Sequence, residues 1–559
     1  MNASMLDEVI EFRMSRSSTA GSGKRATSEE LAFTPIEEIE GIKGDVDKTF
    51  STGRTRDVEW RRRQLQALRS LIADNTELIV DAIYQDVGRP RCVTFDIPLT
   101  ISFVRPCVCR RTLAVIMVLV HACRSEGRLG DVMTVLREVD YALGHLDAWV
   151  KPRGTGTALL LQPAKSEVQS EPLGTVLVIG AWNFPFLLLL GPLVGIIAAG
   201  NCAVCKPSEV SPHSARLIGE LIPRYMDRDC IRVVQGAVTE TTELLKLPWD
   251  HIMYTGNGHV GRIVMRAAAE HLTPVTLELG GKCPALVDST ANLDVAARRI
   301  LNGKFMNCGQ VCLSTDYVLV ERGMKQRLLD AFDRTLHQFY GDTPGDSPHF
   351  GRIVNRRHFD RVSALVDDPA HGGEVIRYGT VDEDSFRIPP TIIVEPNPDS
   401  RVMQEEIFGP VLLVLEMDSI DAMIEFVNAR PKPLALYLFS ETASVQEAVR
   451  YRTSSGALAI NDTVMQQVSC SLPFGGVGGS GMGNYHGQFG FQTFSHQKAV
   501  LIKSCMLDPP VRYPPYTEQN DKIAMLLGTK LRMSMRTCAK VMLVGTALAS
   551  AAAYWLWQE

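Results

Sequence analysis

Gly174-Thr175-Val176-Leu177-Val178-Ile179-Gly180 sets five β-branched or aliphatic residues between two glycines, and Trp182-Asn183-Phe184-Pro185 follows at once. Five such residues without polar alternation read as a strand buried on both faces. Working downstream, an apolar helical stretch, Leu187–Ala199, is followed by a similar strand at Ala203–Cys205. Helix-like Ser214–Tyr225, strand-like Arg232–Val234, helix-like Val260–Leu272 and strand-like Val275–Leu279 come next. Doubly buried strands alternating with helices predict a parallel, doubly wound sheet. A second α/β run covers about 284–457, with Val318–Glu321, a helix over Gln326–Tyr340, Val411–Glu416 and a helix near Ile420–Asn428. The glycine-dense stretch 473–484 reads as loop.

Upstream, Trp60, Leu65, Leu68, Leu71 and Ile72 share one helical face. Further helices are expected over about Asn75–Tyr84 and Val132–Val150. Residues 1–45 are weakly periodic and read as a flexible arm. Phe103–Asp131 fits neither period, holding three cysteines, several arginines and a short apolar run. It reads as an insertion, either a lineage-specific loop or, by preference, translated non-coding sequence. It is expected to protrude without touching Cys312, while Asp96–Ser102 would run on into Val132 as one amphipathic helix.

The chain has 559 residues, 45% apolar and 22% charged, with a net charge of −5. Such a composition excludes a mainly disordered or fibrous protein, and nothing basic enough to coat a nucleic acid is present. Thirteen cysteines without disulfide-scaffold spacing imply reduced thiols. Cys107-x-Cys109 has no partner pair at ligand spacing, so no metal is expected. No secretory signal is visible at the N-terminus.

No G-x-G-x-x-G follows the first strand. Gly256-Asn257-Gly258-His259-Val260-Gly261 is the alternative glycine turn opening a helix, able to offer N–H groups to a pyrophosphate. Further motifs follow in order: Lys206-Pro207-Ser208-Glu209, Glu278-Leu279-Gly280-Gly281-Lys282, Gly309-Gln310-Val311-Cys312, Glu406-Ile407-Phe408-Gly409-Pro410 and Pro473-Phe474-Gly475-Gly476-Val477. Together with Trp182–Pro185 this series resembles the aldehyde dehydrogenase superfamily. Its flavour is similar to the class that includes the microsomal fatty aldehyde dehydrogenases. The resemblance covers about 48–505, apart from 103–131.

That resemblance implies NAD, or NADP, as cofactor and an aliphatic aldehyde as substrate. It selects Cys312 as nucleophile, forming a thiohemiacetal and then a thioester, with Cys308 one turn away as rival. Asn183, with the Cys312 backbone N–H, becomes the oxyanion donor. Glu278, at the end of an apolar strand, becomes the general base, its pKa raised by burial. Lys206 and Glu209 are expected at the adenosine ribose, Gly256 and Gly261 at the pyrophosphate, Glu406 at the nicotinamide ribose and Phe408 against the nicotinamide ring, with Trp182 and Ser208 also expected to bind the cofactor. A carboxylate at 209 disfavours a 2′-phosphate. Leu313-Ser314-Thr315-Asp316 and Gly479 depart from the family pattern.

The implied organisation is a cofactor-binding domain over 46–279, with 151–170 in an oligomerisation hairpin, and a catalytic domain over 280–457. A return to the first domain follows over 458–505, then a linker and basic segment over 506–540. Val541–Trp557 is seventeen residues without a charge, ending in Tyr554, Trp555 and Trp557 and preceded by Lys530, Arg532, Arg536 and Lys540. It reads as a membrane anchor that leaves the body cytosolic, in a membrane such as the endoplasmic reticulum. A homodimer is expected. Two rival readings are a non-catalytic tethered relative and a dehydrogenase passing its acyl group to coenzyme A.

Overall fold

The computed structural model describes residues 31–90, 126–158, 161, 164–505, 508 and 512–528. Thr175–Ile179 is buried along its whole length and lies between Cys202–Lys206 and His251–Thr255, parallel to both. The complete sheet runs Gly481–Met482, Val275–Glu278, His251–Thr255, Thr175–Ile179, Cys202–Lys206, Ile231–Val233, and only its first strand is antiparallel. Helix Leu187–Ala199 is buried at every residue, which explains why its sequence is apolar all round. It packs against helices Val58–Asp74, Thr134–Trp149 and Gly487–Thr493.

The second sheet has seven strands in the order Glu374–Arg377, Thr391–Val394, Val411–Met417, Thr315–Glu321, Cys283–Val287, Ala435–Phe439, Ala457–Ile460. Only Glu374–Arg377 is antiparallel to its neighbour. A third, antiparallel sheet joins Arg153–Thr155 and Ala164–Pro172 to Ser495–Lys503. The two parallel α/β sheets expected from the alternating pattern are therefore present.

Two expectations need correction. The arm does not extend to residue 45, because Ile36–Ser51 is a helix whose Ile39, Ile42 and Val46 are buried. Their three- and four-residue spacing is that of one helical face, hidden in the sequence among acidic residues.

Nor does the odd segment reach Asp131. Residues 103–125 lie outside the described residues. Glu126 and Gly127 are helical, Arg128–Met133 forms a π-helical turn, and that turn leads directly into helix Thr134–Trp149. Asp131 is fully buried and ion-paired with Arg89 at 2.5 Å. Gly130 lies so close to Phe184 that a Cβ there would be 2.8 Å from the ring. Glu126–Asp131 is thus part of the packed body, not a protrusion.

Helix Thr134–Trp149 is entered through Glu126–Met133, and Asp96–Ser102, expected to share its amphipathic pattern, lies outside the described residues. The expected anchor Val541–Trp557 also lies outside them. Among the described residues no helix is long and apolar enough to cross a membrane.

Candidate active site

Four parallel strands of the six-stranded sheet end on the same side, and each delivers residues singled out from sequence. Thr175–Ile179 leads to Trp182 and Asn183, and Cys202–Lys206 to Lys206, Ser208 and Glu209. His251–Thr255 leads to Gly256 and helix Gly258–Ala269, and Val275–Glu278 ends on Glu278 itself. The chain runs outward from Thr175–Ile179 to Ile231–Val233, then returns to its other side at His251. Such a reversal opens the crevice where α/β sheets take ligands.

Glu278 is 2% exposed, and neither carboxylate oxygen has a hydrogen-bond partner. Burial holds its pKa well above the ordinary glutamate value. Buried polar groups are normally satisfied, so an orphaned carboxylate marks a group with a use.

Cys312 follows the tight turn Met306–Gly309 and precedes strand Thr315–Glu321. It is half-buried, and its carbonyl accepts from Cys283 Sγ at 3.4 Å. Burial pushes its thiol up to about 12, with the charges of Glu406 and Glu278 adding to the effect. Both carboxylates are therefore within electrostatic reach of the sulfur. Cys308, the rival, is fully buried, and burial pushes its thiol up. The turn between them needs Gly309, since a Cβ there would sit 2.2 Å from the Gly409 carbonyl oxygen.

Asn183 is buried, and its Nδ2 donates to the Gln310 carbonyl at 3.0 Å. One amide hydrogen so used ties the side chain to the Cys312 loop and leaves the second for another acceptor. The Gln310 side chain is fully engaged, donating to the Asn307 and Arg352 carbonyls and accepting from Val354 N.

The residues present suit a dinucleotide. Lys206 Nζ meets Glu209 Oε2 at 2.7 Å where strand Cys202–Lys206 ends. Asn257 caps the next helix through Val260 N at 3.0 Å, and that helix end carries positive partial charge. A Cβ on Gly280 would fall 2.1 Å from Glu406 Oε2, so only glycine lets the carboxylate lie there. Burial, then the nearby Asp316, raises Glu406 to about 8. Trp182 meets Phe408 edge-on at 5.4 Å and also contacts His358. Gly261 lies against Leu279, and the Ser208 hydroxyl accepts from Val210 N within its own turn.

Sequence reasoning missed Arg89, Asp131, Asn307 and Tyr485. Tyr485 is buried beside the site, where burial and the charges of Glu278 and Cys312 raise its hydroxyl well above its ordinary value. Asn307 was visible as the start of Asn307-Cys308-Gly309-Gln310. Arg89 and Asp131 are 42 positions apart in sequence, and no local pattern links the two.

The family model described as the aldehyde dehydrogenase family matches residues 109–500. The chain belongs to the aldehyde dehydrogenase family. It is 43% identical over 473 residues to aldehyde dehydrogenase family 3 member A2 of Rattus norvegicus, spanning 84% of this chain and 90% of that protein. With the dimeric NADP-preferring aldehyde dehydrogenase of the same species it shares 44% over 472 residues, spanning 84% and 96%. A solved substrate-bound structure of Staphylococcus aureus AldH matches with a TM-score of 0.79 at 40% identity, covering 87% of this chain and 99% of that one. This aldehyde dehydrogenase accordingly oxidises aldehydes with NAD or NADP.

Proposed function

We propose that this aldehyde dehydrogenase converts medium- to long-chain aliphatic aldehydes to carboxylic acids, with Cys312 as nucleophile, Asn183 as oxyanion donor and Glu278 as general base. The observation that carries the assignment is Glu278, a buried carboxylate with both oxygens unpartnered and within electrostatic reach of Cys312.

Cys312 first gives up its thiol proton to water and then, as a thiolate, adds to the aldehyde carbon, and the carbonyl oxygen takes the negative charge. Donation from Asn183 Nδ2 and the Cys312 N–H stabilises that charge; one such donor contributes about 3–4 kcal/mol. Bound NAD or NADP supplies the acceptor for the aldehyde hydride, so the acyl group remains on Cys312 as a thioester. Glu278 then takes a proton from water as its oxygen attacks the thioester carbon, releasing the acid and the thiolate. Lys206 and Glu209 would hold the adenosine ribose, the Gly256–Gly261 turn the pyrophosphate, and Glu406 the second ribose.

The long-chain preference is supported by Val541–Trp557, whose uncharged run and aromatic end suit an anchor. An anchored enzyme meets substrates that partition into lipid. The body would face the cytosol, from a membrane such as the endoplasmic reticulum. A homodimer is supported by the relative named as dimeric.

The experiment is NADH formation from hexadecanal with and without coenzyme A, in the wild type and Glu278→Gln. The expected result is turnover independent of coenzyme A in the wild type. The variant should give a burst near one equivalent per site and then slow release. Full steady-state turnover in Glu278→Gln removes Glu278 from the mechanism, and dependence on coenzyme A replaces water as acyl acceptor.

A further inference from the structure

Two buried side chains converge on one atom, the carbonyl oxygen of Asn183. Asn307 Nδ2 donates to it at 3.0 Å, and Arg89 Nη2 donates to it as well. The two donors also hold each other, since Arg89 Nε donates to Asn307 Oδ1 at 2.9 Å. Asn307 Nδ2 further reaches the Gln310 carbonyl at 3.2 Å, the acceptor already used by Asn183 Nδ2. The loops of the oxyanion donor and of the nucleophile are therefore laced together through one asparagine and one arginine.

The clamp is itself anchored at both ends. Arg89 Nη1 pairs with Asp131 at 2.5 Å, and Asp131 Oδ1 accepts the amides of Phe186 and Leu187 at 3.1 and 2.9 Å, where helix Leu187–Ala199 begins. On the other side Glu126 Oε2 accepts Asn307 N at 2.8 Å. Asn307 and Cys308 have left-handed backbones, with φ of 50° and 55°. Asparagine tolerates that region and cysteine does not, so surrounding bonds must hold the turn.

We propose that Arg89 and Asn307 are positioning residues, clamping the Asn183 carbonyl to the Cys312 loop so that the Asn183 amide and the Cys312 N–H converge on one oxyanion. The inference rests on the roles given above to Asn183 and Cys312. Both side chains are buried and bonded to protein groups, so each would act through the placement of a donor. A shift of about 1 Å in such a group can cost on the order of 100-fold in rate.

The test uses the full-length enzyme with Asn307→Gly, Arg89→Met, Arg89→Lys and, as reference, Asn183→Ala. Asn307→Gly suits the left-handed backbone, so the fold is kept while the side-chain bonds vanish. Arg89→Met leaves Asp131 without its counter-ion, and Asn307→Gly serves if that variant does not fold. Aldehyde kcat and KM, NADH binding by fluorescence, and cofactor-free hydrolysis of p-nitrophenyl acetate are measured on folded protein. Ester hydrolysis needs the oxyanion hole but no hydride acceptor.

The expected result is a fall of roughly 30- to 100-fold in kcat and in ester hydrolysis for Asn307→Gly and Arg89→Met. KM and NADH binding should stay within about twofold, the pattern of an interaction made in the transition state. Arg89→Lys should recover most of the rate, because an ammonium can still bridge Asp131 and the Asn183 carbonyl. Wild-type kcat in folded Asn307→Gly overturns the inference, as does a loss confined to NADH binding. If Asn183→Ala is slow while both clamp variants are fast, the inference alone fails. If Asn183→Ala keeps full activity, the oxyanion assignment fails and takes the clamp with it.

Discussion

Glu278 pairs across the sheet with Gly481, the two in antiparallel register at the point where the glycine-dense loop returns to the sheet. A Cβ on Gly481 would lie 2.2 Å from the Leu277 carbonyl oxygen, so only glycine lets the loop lie flat beside the acid. Burial raises the pKa of Glu278 in the fold, while the unfolded chain releases the proton near 4.5. Above pH 4.5 the folded state therefore binds more protons than the unfolded one, and stability falls as pH rises. Glu278→Gln lacks this penalty. Its melting temperature should match the wild type below about pH 4.5 and exceed it as the pH rises above that value. Parallel curves in scanning calorimetry would show that the fold does not raise the pKa of Glu278.

Cys312 and Cys308 should differ sharply under alkylation. Half-buried Cys312 reacts with iodoacetamide, slowly at neutral pH and faster as the pH approaches 12, because the thiolate is the reacting form. Cys308 is fully buried and stays unlabelled in the folded enzyme. Mass spectrometry of peptides from briefly treated protein checks this. Cys312→Ser should abolish aldehyde oxidation while NAD still binds, and Cys308→Ser should retain most of it.

Two deletions separate the dispensable from the built-in part of the odd segment. Removing 103–131 takes Asp131 from buried Arg89 and Glu126 from Asn307. An uncompensated buried charge costs about 3–5 kcal/mol, so that protein should melt several degrees lower and lose activity. Removing 103–125 spares both carboxylates and should leave melting temperature and kcat close to wild type. Wild-type melting and turnover in the 103–131 deletion, read by calorimetry and NADH assays, would contradict the burial of Asp131 against Arg89.

Glu209, paired with Lys206 at 2.7 Å, is proposed to lie at the adenosine ribose, where its carboxylate would repel a 2′-phosphate. Glu209→Gln should shift the ratio of kcat/KM for NADP over NAD upward by on the order of tenfold, since removing one like-charge contact is worth more than 1 kcal/mol. An unchanged ratio means that the ribose end lies elsewhere.

Several features were settled by the sequence alone. Doubly buried strands such as Thr175–Ile179, and a helix apolar on all faces such as Leu187–Ala199, are local consequences of burial on every side and read directly from composition and period. The ordered motifs marked Cys312, Glu278 and Asn183 because each lies in a short contiguous signature. What the tertiary structure alone decided is how those signatures meet. Arg89 and Asp131 sit on either side of a segment that interrupts every periodic pattern, and only chain packing puts a guanidinium between that carboxylate and the Asn183 carbonyl. The burial of Ile39, Ile42 and Val46 likewise depends on the surface that receives them. Period reports which face is apolar, whereas contact between distant side chains depends on where the folded backbone brings them, and no local pattern encodes that.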